Sequence, residues 1–201
     1  MNHTRVCGKA VDARGLHGLS CRRSAPRQQR HSHLNDILWR AIKRAQMPAV
    51  KEPISLMRDD NKRPDGTTLL PWARGKPMAW DVTVPDTYAE SHIGSTATKP
   101  GAAAHKTAQN KTDKYSKLAS THIFYPFAIE TVGTWHEMAI ELTRDWQAYQ
   151  AYHHYHRRHP GDNIPVPTLF NGSAKRKCGF FPQHHGHRVN CRCNHNFVCL
   201  A

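Results

Sequence analysis

Acidic side chains are scarce in this 201-residue chain: Asp and Glu number 15 against 29 Lys and Arg, a formal net charge of +14, and beyond Asp145 only Asp162 remains. Such a surface attracts polyanions, of which nucleic acid is the commonest. Long apolar runs are missing as well. None is long enough to span a bilayer, and Met1 to Arg30 has no apolar centre of the signal-peptide kind. The expectation is therefore an intracellular protein, in nucleus or cytoplasm, with no membrane partner. Cysteine is too sparse and too irregularly spaced for the disulfide framework of a secreted domain; paired with His in a reducing compartment, the six cysteines suggest zinc instead. The length suits one domain of ordinary size, or a smaller one with extensions.

What is present divides the chain into three. Residues 1–33 are rich in Gly, Arg and Ser and hold no helical or strand period. From Leu34, the residues Leu34, Ile37, Leu38, Ala41, Ile42 and Ala45 recur at helical spacing, with Asn35, Asp36, Arg40, Lys43 and Arg44 assigned to the opposite face. Strand candidates follow at Ala49 to Met57, Thr67 to Trp72 and Met78 to Val84, separated by turn residues, so a meander is expected. Pro85 to Ala102 reads as a loop, and His105 to Ala119 as a polar helix with Tyr115 and Leu118 inward. Ile123 to Thr131 is the strongest strand, and a last helix starts near Thr134. The predicted architecture is α/β: helix, three-strand meander, helix, strand, over residues 34–145.

Two carboxylates carry the chemistry in that frame. Asp65 follows Pro64 at the start of one strand candidate, and Asp81 sits inside the next. Antiparallel neighbours joined by a turn can bring them onto one metal, and Mg²⁺, a hard cation, is commonly held by one or two carboxylates plus phosphate oxygens. Glu52, on the preceding strand candidate, is a third candidate. Taken singly, Asp-Gly after Pro is a common turn, and an Asp inside a strand is as readily an ion-pair partner.

The string Arg58-Asp59-Asp60-Asn61-Lys62-Arg63-Pro64-Asp65-Gly66, then Pro71-Trp72, Arg74-Gly75 and Trp80-Asp81-Val82-Thr83, resembles the region beyond the reverse transcriptase domain in retroelement-like open reading frames of animals. It is also similar to the restriction-like endonuclease of site-specific non-LTR retrotransposons, a branch of the PD-(D/E)xK nuclease fold. The likeness runs from about Cys7 to Asp145. It implies a restriction-endonuclease-like core that nicks DNA with Mg²⁺ or Mn²⁺, Asp65 and Asp81 as metal ligands, and DNA, with RNA as a second candidate, as partner. No polymerase lies in this chain, so reverse transcriptase would come from another chain or be missing. One departure stands out. The general pattern places lysine two residues after the second carboxylate, where this chain has Thr83. Some branches supply the lysine from the following helix; Lys114 resembles that position, and Lys111, three residues earlier, is the fallback.

Upstream, Cys7, His17, Cys21 and His31 are separated by nine, three and nine residues, and thiolates with neutral imidazoles so spaced can close a tetrahedral zinc site. The same part of the retroelement region resembles a zinc knuckle; His33 can replace His31. Such a unit would order Arg22, Arg23, Arg27 and Arg30 against phosphate, with Lys62 and Arg63 as further contacts that add affinity and little sequence readout.

Residues 146–201 read as an irregular tail. Cys178, Cys191, Cys193 and Cys199, with His184, His185, His187 and His195, offer a second zinc set without a supporting period. A shifted reading frame offers another account: one nucleotide later, the codons of Trp146-Gln147 give glycine, and those of His153 to His156 give only Thr or Ile, which resembles the composition of related retroelement regions there. Three functional readings follow: a nicking endonuclease, a catalytically silent nucleic-acid-binding remnant, and an open reading frame with no stable function.

Overall fold

A computed structural model describes residues 25–56 and 63–162, all within one compact unit. Its described elements run α1 (Ala25–Arg44), β1 (Ala49–Lys51), a 3₁₀ turn (Ile54–Leu56), β2 (Gly66–Thr68), β3 (Met78–Thr83), α2 (Glu90–Thr96), α3 (Ala102–Lys114), a 3₁₀ turn (Ser116–Ser120), β4 (Ile123–Ala128) and α4 (Glu137–Arg158). The four strands form one mixed sheet in the order β1-β2-β3-β4. The first three are an antiparallel meander, and β4 runs parallel to β3, with Asp81 opposite Pro126. A parallel neighbour needs a crossover, which α2 and α3 provide. Proline fits β4 because that strand is an edge.

The apolar residues of α1, β3, β4 and α4 make the main core. Leu38 and Ile42 from α1, Met78, Trp80 and Val82 from β3, Tyr125 and Phe127 from β4, and Leu142 from α4 are all buried together. Helix α3 meets β4 differently, through a small cluster of Ala104, Ala108 and Ala128. Alanines let a helix lie close to a sheet but give little apolar period, which is why the sequence places the start of this helix at His105 rather than Ala102.

Several expectations change. The stretch 85–102 is not a plain loop: α2 lies inside it, yet buries no residue, and its one large apolar side chain, Ile93, is half exposed. A helix with no buried face leaves no hydrophobic signature. The first two strands are shorter than the pattern suggests. β1 ends where Glu52 takes a left-handed φ of 50° ahead of Pro53, and β2 gives way to the exposed Leu69 and Leu70. On α1, Ile37 points outward and Asn35 is buried, the reverse of the sequence assignment.

The largest change concerns the tail. The sequence reading breaks the domain at Asp145, but α4 continues to Arg158. Trp146 and Tyr149 pack on the main core, the Trp146 ring stacks on Phe127 with centroids 6.5 Å apart, and the Gln150 amide donates to the Ala41 carbonyl at 3.4 Å. Residues 163–201, with the second Cys/His set, lie outside the described residues, as do Cys7, His17 and Cys21.

Candidate functional site

Asp65 sits at the entry to β2, in the centre of the meander, and its backbone and side chain are held from three directions. Its carbonyl accepts the Glu52 amide at 2.9 Å and the Asn35 side-chain amide at 3.4 Å. Its Oδ2 accepts the Val82 backbone N–H at 2.6 Å and lies 2.9 Å from His31 Nε2. The next residue, Gly66, is opposite Trp80 across the β2-β3 ladder, and a Cβ on Gly66 would come within 2.0 Å of the Trp80 ring. Only glycine lets the indole lie across this strand. The indole N–H in turn donates to Asn35 Oδ1 at 2.9 Å, so α1, β2 and β3 are locked together beside Asp65.

Asp81 follows Trp80 on β3 and is almost wholly buried, with 3% of its surface exposed. Its Oδ1 lies 2.5 Å from Lys111 Nζ, delivered by α3. Burial pushes the Asp81 carboxyl above the usual carboxylate range, and the charge of Asp65 pushes it further; Lys111 and the Tyr115 hydroxyl pull it back. A carboxylate in low dielectric beside another favours its protonated form or a cation. Conversely, hydrogen bonding to Asp65 raises the His31 imidazole above its ordinary value, against the opposing effect of burial.

The remaining candidates sit as follows. Glu52 is exposed and its carboxylate is ion-paired with Arg63. Lys114, the last residue of α3, donates to the Tyr115 hydroxyl at 2.7 Å and lies over that ring. The Tyr115 hydroxyl donates to the Arg63 carbonyl at 2.7 Å, which ties the end of α3 to the chain entering β2. Lys111, the fallback lysine, is therefore the one on the carboxylate. His31, named from the sequence as a zinc ligand, is turned to Asp65. Arg27 is exposed and Arg30 half-buried on α1, while Arg22, Arg23 and Lys62 lie outside the described residues. Thr83 ends β3.

The sequence missed Asn35 as a buried bridge and His31 as a partner of Asp65. A signal existed: His31 and Asn35 are four apart on a helix and so share a face. No family model matches the sequence, and no curated protein matches it. The chemistry must be read from these side chains alone.

Among the described residues no group of three or more His, Cys, Asp or Glu is arranged to hold a metal ion. What the adjacent strands bring together is a pair of carboxylates, Asp65 and Asp81. It fits a hard cation that keeps most of its own water, since Asp81 is a buried acid beside a second acid and already attracts the ammonium of Lys111. The set does not fit zinc, which favours Cys and His around a closed tetrahedron.

Proposed function

We propose that this domain is a retroelement-derived, metal-dependent DNA endonuclease of the restriction-like PD-(D/E)xK type, hydrolysing phosphodiesters to nick DNA. The observation that carries the reading is the meeting of Asp65 and Asp81 from adjacent strands, with Lys111 on Asp81. Further support comes from the order of elements, a helix, a three-strand meander, two helices and a strand, close to the helix, three-strand meander, helix, strand order expected from the sequence.

Asp65 and Asp81 would hold Mg²⁺ or Mn²⁺, which supplies an acidified water and neutralises charge on the scissile phosphate. The protein's own contributions are positional and electrostatic. Asp65 is fixed by the Val82 amide and His31, Asp81 is kept dry by β3 and α3, and Lys111 brings a positive charge where negative charge grows at phosphorus. The net charge of +14 draws the polyanion in. Reverse transcriptase would have to come from another chain, and the setting for such work is the nucleus or the cytoplasm. A zinc unit at Cys7, His17 and Cys21 belongs to the same proposal, with His33 in place of His31 as its fourth ligand.

A second reading is a catalytically silent nucleic-acid binder. It is favoured by Thr83 at the usual lysine position and by Glu52 being spent on Arg63. Incubating the full chain with supercoiled DNA and Mg²⁺ or Mn²⁺ separates the two. Nicking that Asp81→Ala abolishes supports the endonuclease; salt-sensitive binding without nicking supports the silent binder.

A further inference from the structure

We infer that His31 is a positioning residue for Asp65 and belongs to the carboxylate pair. The inference rests on the endonuclease reading and deepens it at one residue.

The geometry is specific. His31 lies in the second turn of α1, on the face that also carries Asn35, and both residues reach Asp65: His31 through Nε2 to Oδ2 at 2.9 Å, Asn35 through its amide to the backbone carbonyl at 3.4 Å. The Val82 amide donates to the same Oδ2 at 2.6 Å. Two donors from different elements, one on α1 and one on β3, fix the plane of the carboxylate. The backbone amide alone would hold Oδ2 at one point and leave the carboxylate free to rotate about it. Ligating carboxylates are commonly oriented by such outer partners. While it donates to Asp65, Nε2 has no lone pair for a metal, so a zinc ligand on this ring could only be Nδ1, which zinc content tests.

The test uses the full chain and Mn²⁺ alone as probe, with binding followed by titration calorimetry and by the electron-spin signal of free Mn²⁺. The component of binding that Asp81→Asn removes reports on the carboxylate pair. His31→Ala is expected to weaken that component by roughly tenfold or more. His31→Gln, whose amide nitrogen can donate to the same oxygen, is expected to stay within about threefold of the unsubstituted chain. Zinc content by elemental analysis should be the same in all three proteins. Alanine is a good helix former, so α1 is kept in His31→Ala, and a melting curve checks it.

Unchanged Mn²⁺ affinity in His31→Ala overturns the inference, as does a His31→Gln chain as weak as His31→Ala. Loss of zinc with Mn²⁺ affinity unchanged assigns His31 to the zinc unit and overturns it too. An unsubstituted chain with no component sensitive to Asp81→Asn sinks the endonuclease reading itself, and with it the inference.

Discussion

Lys111 Nζ is 2.5 Å from Asp81 Oδ1, while Lys114, three residues further along the same helix, is held at the Tyr115 hydroxyl. The two lysines are neighbours on α3, but only one reaches the buried carboxylate. The charge available to a phosphate at this site comes from the middle of the last two turns of α3, not from its end.

That difference gives the first prediction. Lys111→Met should lower nicking by about 100-fold, the scale seen when one preorganised charge or donor is removed from a transition state. Lys114→Met should change the rate by less than about threefold, since its ammonium is engaged at Tyr115. Single-turnover rates on supercoiled DNA decide it, and equal losses for the two lysines would refute the assignment.

A second prediction concerns pH. The folded Asp81 carboxyl titrates above its unfolded value because of burial and Asp65. The folded state therefore binds this proton more tightly, and ionisation costs stability: the cost is absent below the unfolded value, grows as pH rises through the folded value, and is complete above it. Asp81→Asn removes the cost, so without divalent metal it should melt higher than the unsubstituted chain at neutral pH, with the gain disappearing in acid. A variant that melts lower at neutral pH would show that losing the Lys111 ion pair outweighs the relief.

Gly66 provides a test of the sheet itself. Gly66→Ala places a methyl 2.0 Å from the Trp80 ring, in a strand pair where neither backbone can retreat without breaking the ladder. The expected loss is about 3 kcal/mol, at the upper end for overpacking. Denaturant unfolding measures it, and a change under about 1 kcal/mol would mean that Trp80 swings aside at little cost.

Glu130 is buried, and its carboxylate caps α3: Oε1 accepts the Ala103 and Ala104 amides at 2.9 and 3.1 Å, and Oε2 accepts the Thr87 hydroxyl at 3.3 Å. A carboxylate at a helix N-terminus is favoured by the exposed amides and by the helix dipole. Glu130→Ala leaves those groups unpaired and should cost roughly 2–4 kcal/mol; Glu130→Gln, which keeps an acceptor, should cost about half as much. Because α3 carries Lys111, Glu130→Ala should also lower nicking, a joint effect that activity and melting assays together would read.

The last helix supplies the fifth prediction. A chain ended after Asp145 loses the Trp146 and Tyr149 packing and the Gln150 bond to α1. It should be less stable than one ended after Asp162 by roughly 2–3 kcal/mol, since each of the two aromatics, being only partly buried, contributes about 1–1.5 kcal/mol. Limited proteolysis and melting of the two truncations settle the point, and equal stability would return the domain boundary to Asp145.

The sequence by itself determined the order of the main elements, most of the apolar face of α1, and the neighbouring strands beside which Asp65 and Asp81 lie. Each of those rests on local spacing: a 3.6-residue period, a short apolar run between turn residues, or a turn short enough to make two strands neighbours. Tertiary structure alone decided the rest. Lys111 and Lys114 share one side of a helix, so only the rotation and depth at which α3 sits on β4, set by Ala104, Ala108 and Ala128, chooses between them. His31 and Asn35 look like the polar side of α1 until Asp65 and Trp80 come to meet them across 34 and 45 residues of chain. Glu52 leaves the site because a left-handed turn aims it at Arg63. Local periodicity records which side of an element is apolar; it does not record which polar group of a distant element will arrive opposite, and that is what assembles this site.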